Sequence, residues 1–205
     1  MKKLLALIAL AALGALLPAA WAQTLKLRVL ETTDVHMNLL GWDYYQDKPS
    51  EEYGLERTAT LIAQARAETR NTLLFDNGDL LQGSPLGDTV ARLRPLRPGE
   101  LHPAWRVMKL LGYDAVNVGN HEFNYGLPFL LRALENVPFP AVNANVVYLD
   151  AQGRADPSRP VFRPTALLER EFTDEAGAPQ RLKIGVLGLT PPQVMNWDRQ
   201  HLLGK

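Results

Sequence analysis

The chain has 205 residues, of which 46% are apolar, and it contains no cysteine. This length and apolar content can form one hydrophobic core, to which disulfides cannot contribute. Its 22 Lys and Arg residues balance its 22 Asp and Glu residues, which excludes the strongly basic surface of proteins that bind nucleic-acid polymers or anionic lipids. Any binding of phosphate groups would therefore depend on local positive charge, such as that of metal ions.

The first segment, residues 1–22, is predicted to be a secretion signal that is removed from the mature protein. Two lysines precede an apolar run at residues 4–17, which is too short for a membrane span. A small-x-small triplet ends at Ala22 and predicts cleavage before Gln23, where no cysteine is present to accept a lipid. The alternative, a buried core helix, is disfavoured because the run has no polar face. We therefore expect a soluble mature protein without a membrane anchor.

Beyond residue 23, short strand-like runs alternate with helix-like runs. Apolar patterns predict strands at 25–30, 72–75, 115–118, 141–147 and 182–189, and helices at 54–70, 103–112 and 127–136. The resulting β-α-β-α-β-α-β order predicts an α/β fold with a largely parallel sheet and functional loops at the carboxyl ends of its strands. Two stretches rich in Pro, Arg, Gly and Asp, 88–100 and 150–180, predict exposed connections, the second with a polar hairpin at 175–177.

Three clusters of polar side chains follow the first three predicted strands. They are Asp34-Val35-His36, Gly78-Asp79 and Gly119-Asn120-His121-Glu122. Residues two apart in an extended segment point the same way, so Asp34 and His36 are predicted to bind one ion together. Carboxylate with imidazole suits zinc, manganese, iron or cobalt better than calcium. Each cluster alone is more typical of a turn, but three clusters at one edge of the sheet predict a metal site.

The order D-x-H, G-D, G-N-H-E resembles the calcineurin-like metallophosphoesterase superfamily, and longer segments narrow this resemblance. These segments are LETTDVH at 30–36, GLERTA at 54–59, DNGDLLQGSP at 76–85, GNHEFNYG at 119–126, VNAN at 142–145 and PPQ at 191–193. They resemble the periplasmic 2',3'-cyclic-nucleotide 2'-phosphodiesterase/3'-nucleotidases of the 5'-nucleotidase family over essentially the whole mature chain. The resemblance implies the αββα sandwich of that superfamily, location in the periplasm, and nucleotides rather than nucleic-acid polymers as substrates.

Residue by residue, the resemblance implies a centre that binds two divalent metal ions, such as manganese, cobalt or zinc. Asp34 and His36 bind the first ion, Asp79 bridges both, and Asn120 binds the second. His121 is the catalytic histidine, which stabilises the transition state or protonates the departing ribose oxygen. The implied activity converts 2',3'-cyclic nucleotides to 3'-nucleotides, and 3'-nucleotides to nucleoside and phosphate.

Asn124 stands where related 5'-nucleotidases have an aspartate, three residues after the catalytic histidine. An amide can orient the ring of His121 by hydrogen bonding, but it favours the charged ring less than a carboxylate would. The asparagine favours the cyclic-nucleotide branch over the alternative of a 5'-nucleotidase or UDP-sugar hydrolase. Asn124 is equally consistent with a simple loop cap.

Two metal ions need more ligands than the four side chains assigned above, and the resemblance implies further histidines from downstream motifs. The chain has four histidines, and the remaining two, His102 and His201, match no ligand motif of the family. No segment resembles the family's C-terminal nucleotide-binding domain. We therefore expect residues 23–205 to form the N-terminal part of a catalytic domain that is incomplete at its C-terminus. The alternative of a different class is a catalytically inert truncated fragment.

Overall fold

The computed structural model describes residues 24–204, so the predicted secretion signal lies outside the described residues. The strands are β1 (Arg28–Thr32), β2 (Trp42–Asp43), β3 (Lys48–Pro49), β4 (Thr72–Asp76), β5 (Ala115–Asn117), β6 (Ala141–Val142), β7 (Val147–Leu149), β8 (Ala155–Pro160), β9 (Thr165–Thr173) and β10 (Pro179–Leu187). The helices are α1 (Leu55–Ala67), α2 (Pro85–Asp88), α3 (Pro103–Leu111), α4 (Leu127–Leu134), α5 (Val194–Trp197) and α6 (Arg199–Leu202). A π-helical turn spans Thr89–Leu93 and a 3-10 turn spans His121–Phe123. Over the described range, no helix has both the length and the apolar character needed to cross a membrane.

The central sheet of the described chain has four parallel strands in the order β1-β4-β5-β6. Strand β1 pairs with β4 from Arg28↔Thr72 to Thr32↔Asp76, while β5 pairs with both β4 and β6. The helices α1, α3 and α4 form the crossovers between consecutive strands, as parallel pairing requires. The α/β class and the parallel sheet predicted from the sequence are confirmed. All four strands end at one edge, where the three polar clusters follow β1, β4 and β5.

The hydrophobic core lies between one face of this sheet and the three crossover helices. Ile62 of α1, Trp105 and Met108 of α3, and Leu130 of α4 are buried there. Each such side chain contributes roughly 2 kcal/mol by removal from water. Trp105 also donates its indole N–H to the backbone O of Ala133 at 2.8 Å, which joins α3 to α4.

The boundaries of the second predicted helix, at 103–112, agree closely with the structure. Pro103 is the first residue of α3, and Gly112 follows its last residue in the left-handed conformation, with φ of 70°. Proline is favoured at the start because no helical partner exists for its missing N–H, and glycine is favoured after the end because it tolerates positive φ. The prediction for this helix is confirmed.

A β-hairpin formed by β9 and β10 covers part of the other face of the sheet. The two strands are antiparallel and pair from Thr165↔Leu187 to Thr173↔Pro179. Apolar residues of β10, including Ile184 and Val186, line a cavity together with residues of the central sheet. The strand predicted at 182–189 therefore exists, at Pro179–Leu187, but it does not extend the parallel sheet.

The two predicted connections contain more regular structure than expected. Residues 150–180 include all of β8 and β9, so the prediction that this stretch is only an exposed connection with a hairpin at 175–177 is wrong. Alternate residues of β9 are buried, including Ala166, Leu168 and Phe172, which is the pattern of a half-buried strand. The expected turn at 175–177 does join β9 to β10. The other stretch, 88–100, begins with the π-helical turn, in which Val90 is buried.

His102 is buried beside the core and is predicted to make the fold sensitive to acid. Its Nδ1 accepts a hydrogen bond from the N–H of Ala104 at 3.2 Å, as an N-cap of α3. Its Nε2 is buried and has no hydrogen-bond partner among residues 24–204. Burial lowers the pKa of His102 from 6.5 to about 4, because the charged ring would lose its hydration.

The unfolded chain therefore takes up a proton on His102 between pH 6.5 and about 4, whereas the folded chain does not. This difference is expected to remove about 2–3 kcal/mol of stability between neutral pH and about pH 4.5. His102→Asn keeps an N-cap acceptor and removes the titrating ring. Urea unfolding of wild type and His102→Asn at neutral pH and at about pH 4.5 should show that the variant loses less stability on acidification. Equal losses of stability would show that His102 is not the group responsible.

Candidate metal centre

The loop after β1 carries Asp34 and His36 and is held against the loop after β4. The backbone N–H of Asp34 donates to the O of Gly78 at 3.1 Å, and that of His36 donates to the O of Asp79 at 2.9 Å. Asp34 and His36 have φ of 54° and 50°, so the prediction that this segment is extended is wrong. Cross-loop hydrogen bonds, rather than strand geometry, set these side-chain directions. Oδ1 of Asp34 nonetheless lies 3.6 Å from Nε2 of His36.

His36 is oriented so that Nε2 is available to an ion. Its Nδ1 lies 2.7 Å from the backbone O of Gln82, and because a carbonyl oxygen can only accept, Nδ1 carries the proton in the neutral ring. The lone pair of Nε2 then lies close to the carboxylate of Asp34. Two electron-rich atoms at this separation fit a cation bound between them. Gly83 allows the loop to pass behind His36, since a Cβ there would lie 2.5 Å from the Cβ of His36.

His36, Asp79 and His121 offer ligand atoms that all lie within 4.8 Å of one another. Asp79 accepts the backbone N–H of His121 on Oδ1 at 2.8 Å, which leaves Oδ2 for an ion. The rings of His36 and His121 meet edge to face, with centroids 4.8 Å apart. Nitrogen and oxygen donors from three loops are a set suited to a transition metal or zinc.

Glu122 joins two of these loops through backbone hydrogen bonds. Its side chain is buried, with 1% exposed. Oε2 accepts the N–H groups of Asp79 and Gly119, both at 2.8 Å, and Oε1 accepts those of Leu80 at 2.6 Å and Leu81 at 3.0 Å. A Cβ at Gly119 would lie 2.6 Å from the backbone N of Asp79, so only glycine permits this approach. Glu122 belongs to the third polar cluster of the sequence, but the sequence pattern does not indicate this role.

The region around the site carries several acidic groups, which include Asp34, Asp76, Asp79 and Glu122. Burial raises the pKa of Asp76 to about 7, and the nearby Glu122 and Asp34 add to the rise. Hydrogen bonds from Thr32 and Gly78 oppose it. Burial also raises the pKa of Glu122, against the effect of its backbone donors. A bound cation would relieve this concentration of negative charge.

The remaining predicted site residues lie in and beside the 3-10 turn after β5. Asn120 is half-buried and directly precedes His121 at the start of that turn. Nδ1 of His121 lies 2.7 Å from Oδ1 of Asn124 and 2.9 Å from Oε1 of Gln82. Asn124 is thus in hydrogen-bond contact with His121, and its orienting role stays a prediction. Gln82 contacts both histidines, a role that the motif at 76–85 does not indicate.

The chain matches one family model, described as calcineurin-like phosphoesterase, over residues 27–190. That match covers most of the chain, including the three loops described above. The chain belongs to the calcineurin-like phosphoesterase family.

Two similar relatives of this calcineurin-like phosphoesterase are named 2',3'-cyclic-nucleotide 2'-phosphodiesterase/3'-nucleotidase. The one from Yersinia enterocolitica is 48% identical over 205 residues, which is 100% of this chain and 30% of the relative. The one from Salmonella typhimurium is 48% identical over 184 residues, which is 90% of this chain and 27% of the relative. The chain therefore spans less than a third of the length of these two relatives.

A solved structure supports the same fold. The crystal structure of the calcineurin-like phosphoesterase YfkN from Bacillus subtilis is similar with a TM-score of 0.78 and 43% sequence identity. The similarity covers 86% of this chain and 52% of that chain. Calcineurin-like phosphoesterases use divalent metal ions, and the donor set of His36, Asp79 and His121 in this member fits such an ion.

Proposed function

We propose that this chain supplies the N-terminal, metal-binding part of a hydrolase that acts on 2',3'-cyclic nucleotides and 3'-nucleotides. The observation that carries the proposal is the convergence of Asp34, His36, Asp79 and His121 from three loops at one edge of the parallel sheet. The names of the Yersinia and Salmonella relatives support this substrate class. The amide at Asn124, in contact with His121, supports the cyclic-nucleotide branch over a 5'-nucleotidase.

The proposed chemistry is hydrolysis at phosphorus. Two divalent metal ions, when bound, would supply positive charge to the phosphoryl oxygens and lower the pKa of the attacking water. Asp34 and His36 would hold one ion, Asn120 the other, and Asp79 both. Nδ1 of His121 is occupied by amide oxygens, so Nε2 is the atom that would face the substrate rather than an ion. With both ring nitrogens protonated, Nε2 would deliver its proton to the departing ribose oxygen.

We also propose that the protein is exported to the periplasm and that residues 23–205 are the N-terminal part of the catalytic domain. The basic start, the apolar run at 4–17 and the small residues before Gln23 support export. The short share of the relatives that the chain covers supports the domain assignment. Expression in a Gram-negative host should yield a periplasmic protein whose mass corresponds to a start at Gln23. A cytoplasmic, uncleaved product would contradict the export proposal.

The activity is tested with 2',3'-cyclic AMP and 3'-AMP, with Mn²⁺, Co²⁺ or Zn²⁺ added. Two proteins are compared: the purified chain, and a chimera in which the chain replaces the matching 30% of the Yersinia relative. We expect the chimera to hydrolyse both substrates and its His121→Ala variant to lose at least about a hundredfold in rate. Activity of the unfused chain would show that its own side chains suffice as ligands. A folded chimera without activity would contradict the proposed function.

A further inference from the structure

The buried carboxylate of Asp198 is linked to His121 of the candidate centre through one side chain, that of Asn124. Asp198 is 3% exposed, and its Oδ1 accepts the Nδ2–H of Asn124 at 2.8 Å. Asn124 in turn places Oδ1 2.7 Å from Nδ1 of His121. A hydrogen-bonded chain therefore runs from His121 through Asn124 to Asp198, across 74 residues of sequence between the last two.

Asp198 is held firmly by its own backbone, between α5 and α6. Its N–H donates to the O of Val194 at 2.9 Å, and its O accepts the N–H groups of His201 at 2.8 Å and Leu202 at 3.0 Å. Its second carboxylate oxygen, Oδ2, is buried and has no hydrogen-bond partner within residues 24–204. Burial of a carboxylate with a single side-chain partner costs stability.

The carboxylate determines which way the amide of Asn124 faces. The two ends of an amide have nearly the same shape, so an isolated asparagine can present either oxygen or nitrogen to His121. An ionised carboxylate can only accept, and it therefore takes the Nδ2–H of Asn124 and turns Oδ1 toward the ring. Gln82, the other neighbour of Nδ1, is itself an amide and does not fix a direction.

We propose that Asp198 is a positioning residue that fixes the ring of His121, through Asn124, with the proton on Nδ1 and with Nε2 free. The protein thus keeps a carboxylate aligned with the histidine, although an amide occupies the position that is aspartate in related 5'-nucleotidases. The role of Nε2 in catalysis rests on the proposed function, whereas the positioning of the ring does not.

The arrangement is tested by exchanging its two side chains. Asp198→Asn removes the group that orients the amide. Asn124→Asp alone places two carboxylates against each other. The double variant Asn124→Asp with Asp198→Asn restores one carboxylate and one amide, in reversed order, and again leaves an acceptor facing Nδ1. Asp88→Asn is the matched control, because Asp88 accepts a hydrogen bond from Tyr125, next to Asn124, but does not contact His121.

The first readout is the tautomer of His121 in the metal-free chain, from long-range ¹H–¹⁵N correlation spectra at about pH 8, where neutral rings are observed. We expect wild type, the control and the double variant to carry the proton on Nδ1, and Asp198→Asn to show a mixture of tautomers. An Asp198→Asn protein with the wild-type spectrum would overturn the proposal, and so would a double variant no closer to wild type than Asp198→Asn.

The second readout is hydrolysis of 2',3'-cyclic AMP by the form that is active, either the chain or the chimera. Asp198→Asn should lower kcat about tenfold or more, in the range found when residues that orient a site group are changed, with KM changed less than about twofold. The double variant should recover to within about threefold of wild type. A gain in overall stability would not explain recovery of kcat in the double variant, because each of its two substitutions is expected to lower kcat when made alone. If no form hydrolyses the substrate, the proposed function fails, and the spectra still decide the positioning role.

Discussion

Replacement of Asp79 by Asn is expected to weaken binding of Mn²⁺ or Zn²⁺ by at least about a hundredfold, because a carboxylate that faces the ion loses its charge. The asparagine oxygen can still accept the backbone N–H of His121, as Oδ1 of Asp79 does at 2.8 Å. The loops should therefore keep their positions, and the change should report on the ligand rather than on folding. Isothermal titration calorimetry of the metal-free protein measures the affinity.

Glu52→Gln is the matched control for this experiment, because Glu52 is an exposed carboxylate outside the site. It removes the same charge from the protein and should leave the affinity within about twofold, since exposed charges are screened. The two variants together separate a local ligand effect from a change in net charge. An Asp79→Asn protein that binds metal as tightly as wild type would show that Asp79 is not a ligand.

Replacement of Glu122 by Ala is expected to destabilise the fold by about 4 kcal/mol or more, because four buried backbone N–H groups lose their acceptor. Each carboxylate oxygen accepts two of these N–H groups. Glu122→Gln keeps one oxygen and turns an NH₂ group toward two N–H donors, so its loss should be smaller but still about 2 kcal/mol or more. Urea unfolding monitored by circular dichroism measures the free energy of unfolding of wild type and of each variant.

Glu135→Gln serves as the comparison, since Glu135 is exposed and pairs with Arg132 on the surface. Its effect should stay within about 0.5 kcal/mol, as is usual for exposed ion pairs. The expected order of stability is wild type and Glu135→Gln, then Glu122→Gln, then Glu122→Ala. Wild-type stability of Glu122→Gln would mean that the carboxylate does not hold the two loops together.

The sequence predicted the central architecture because the relevant signals are local. Alternating and continuous apolar runs located the strands of the parallel sheet, and Pro103 and Gly112 located α3. The boundaries of β1 were less accurate, predicted at 25–30 and observed at Arg28–Thr32. The limits of β1 are set by its pairing with β4, which begins at Arg28↔Thr72. The alternation of apolar residues in the sequence does not reveal this pairing.

The hairpin of β9 and β10 was partly missed for a different reason. The alternating burial of Ala166, Leu168 and Phe172 corresponds to a period-two pattern that was present in the sequence. The Pro, Arg, Gly and Asp content of the surrounding residues outweighed it and favoured a connection. Composition over a long stretch is a weaker guide than periodicity within a short one.

The three polar clusters of the site were predictable from their positions after strands, but the groups that support them were not. Glu122 accepts hydrogen bonds from backbone N–H groups. Every residue other than proline has such a group, so the residue types do not reveal the contact. Asp198 reaches Asn124 across 74 residues, in a segment that resembles no ligand motif. Such contacts depend on the folded arrangement of distant loops, so a sequence pattern does not show them.

Anomalous diffraction from crystals of the chain grown with Zn²⁺ would show directly whether these loops bind a metal ion. An anomalous peak is expected at the edge of the parallel sheet, within about 2.0–2.3 Å of Nε2 of His36 and of a carboxylate oxygen of Asp79. That result would establish that the loops after β1 and β4 form a metal centre. Bound zinc elsewhere, with no peak between His36 and Asp79, would show that they do not.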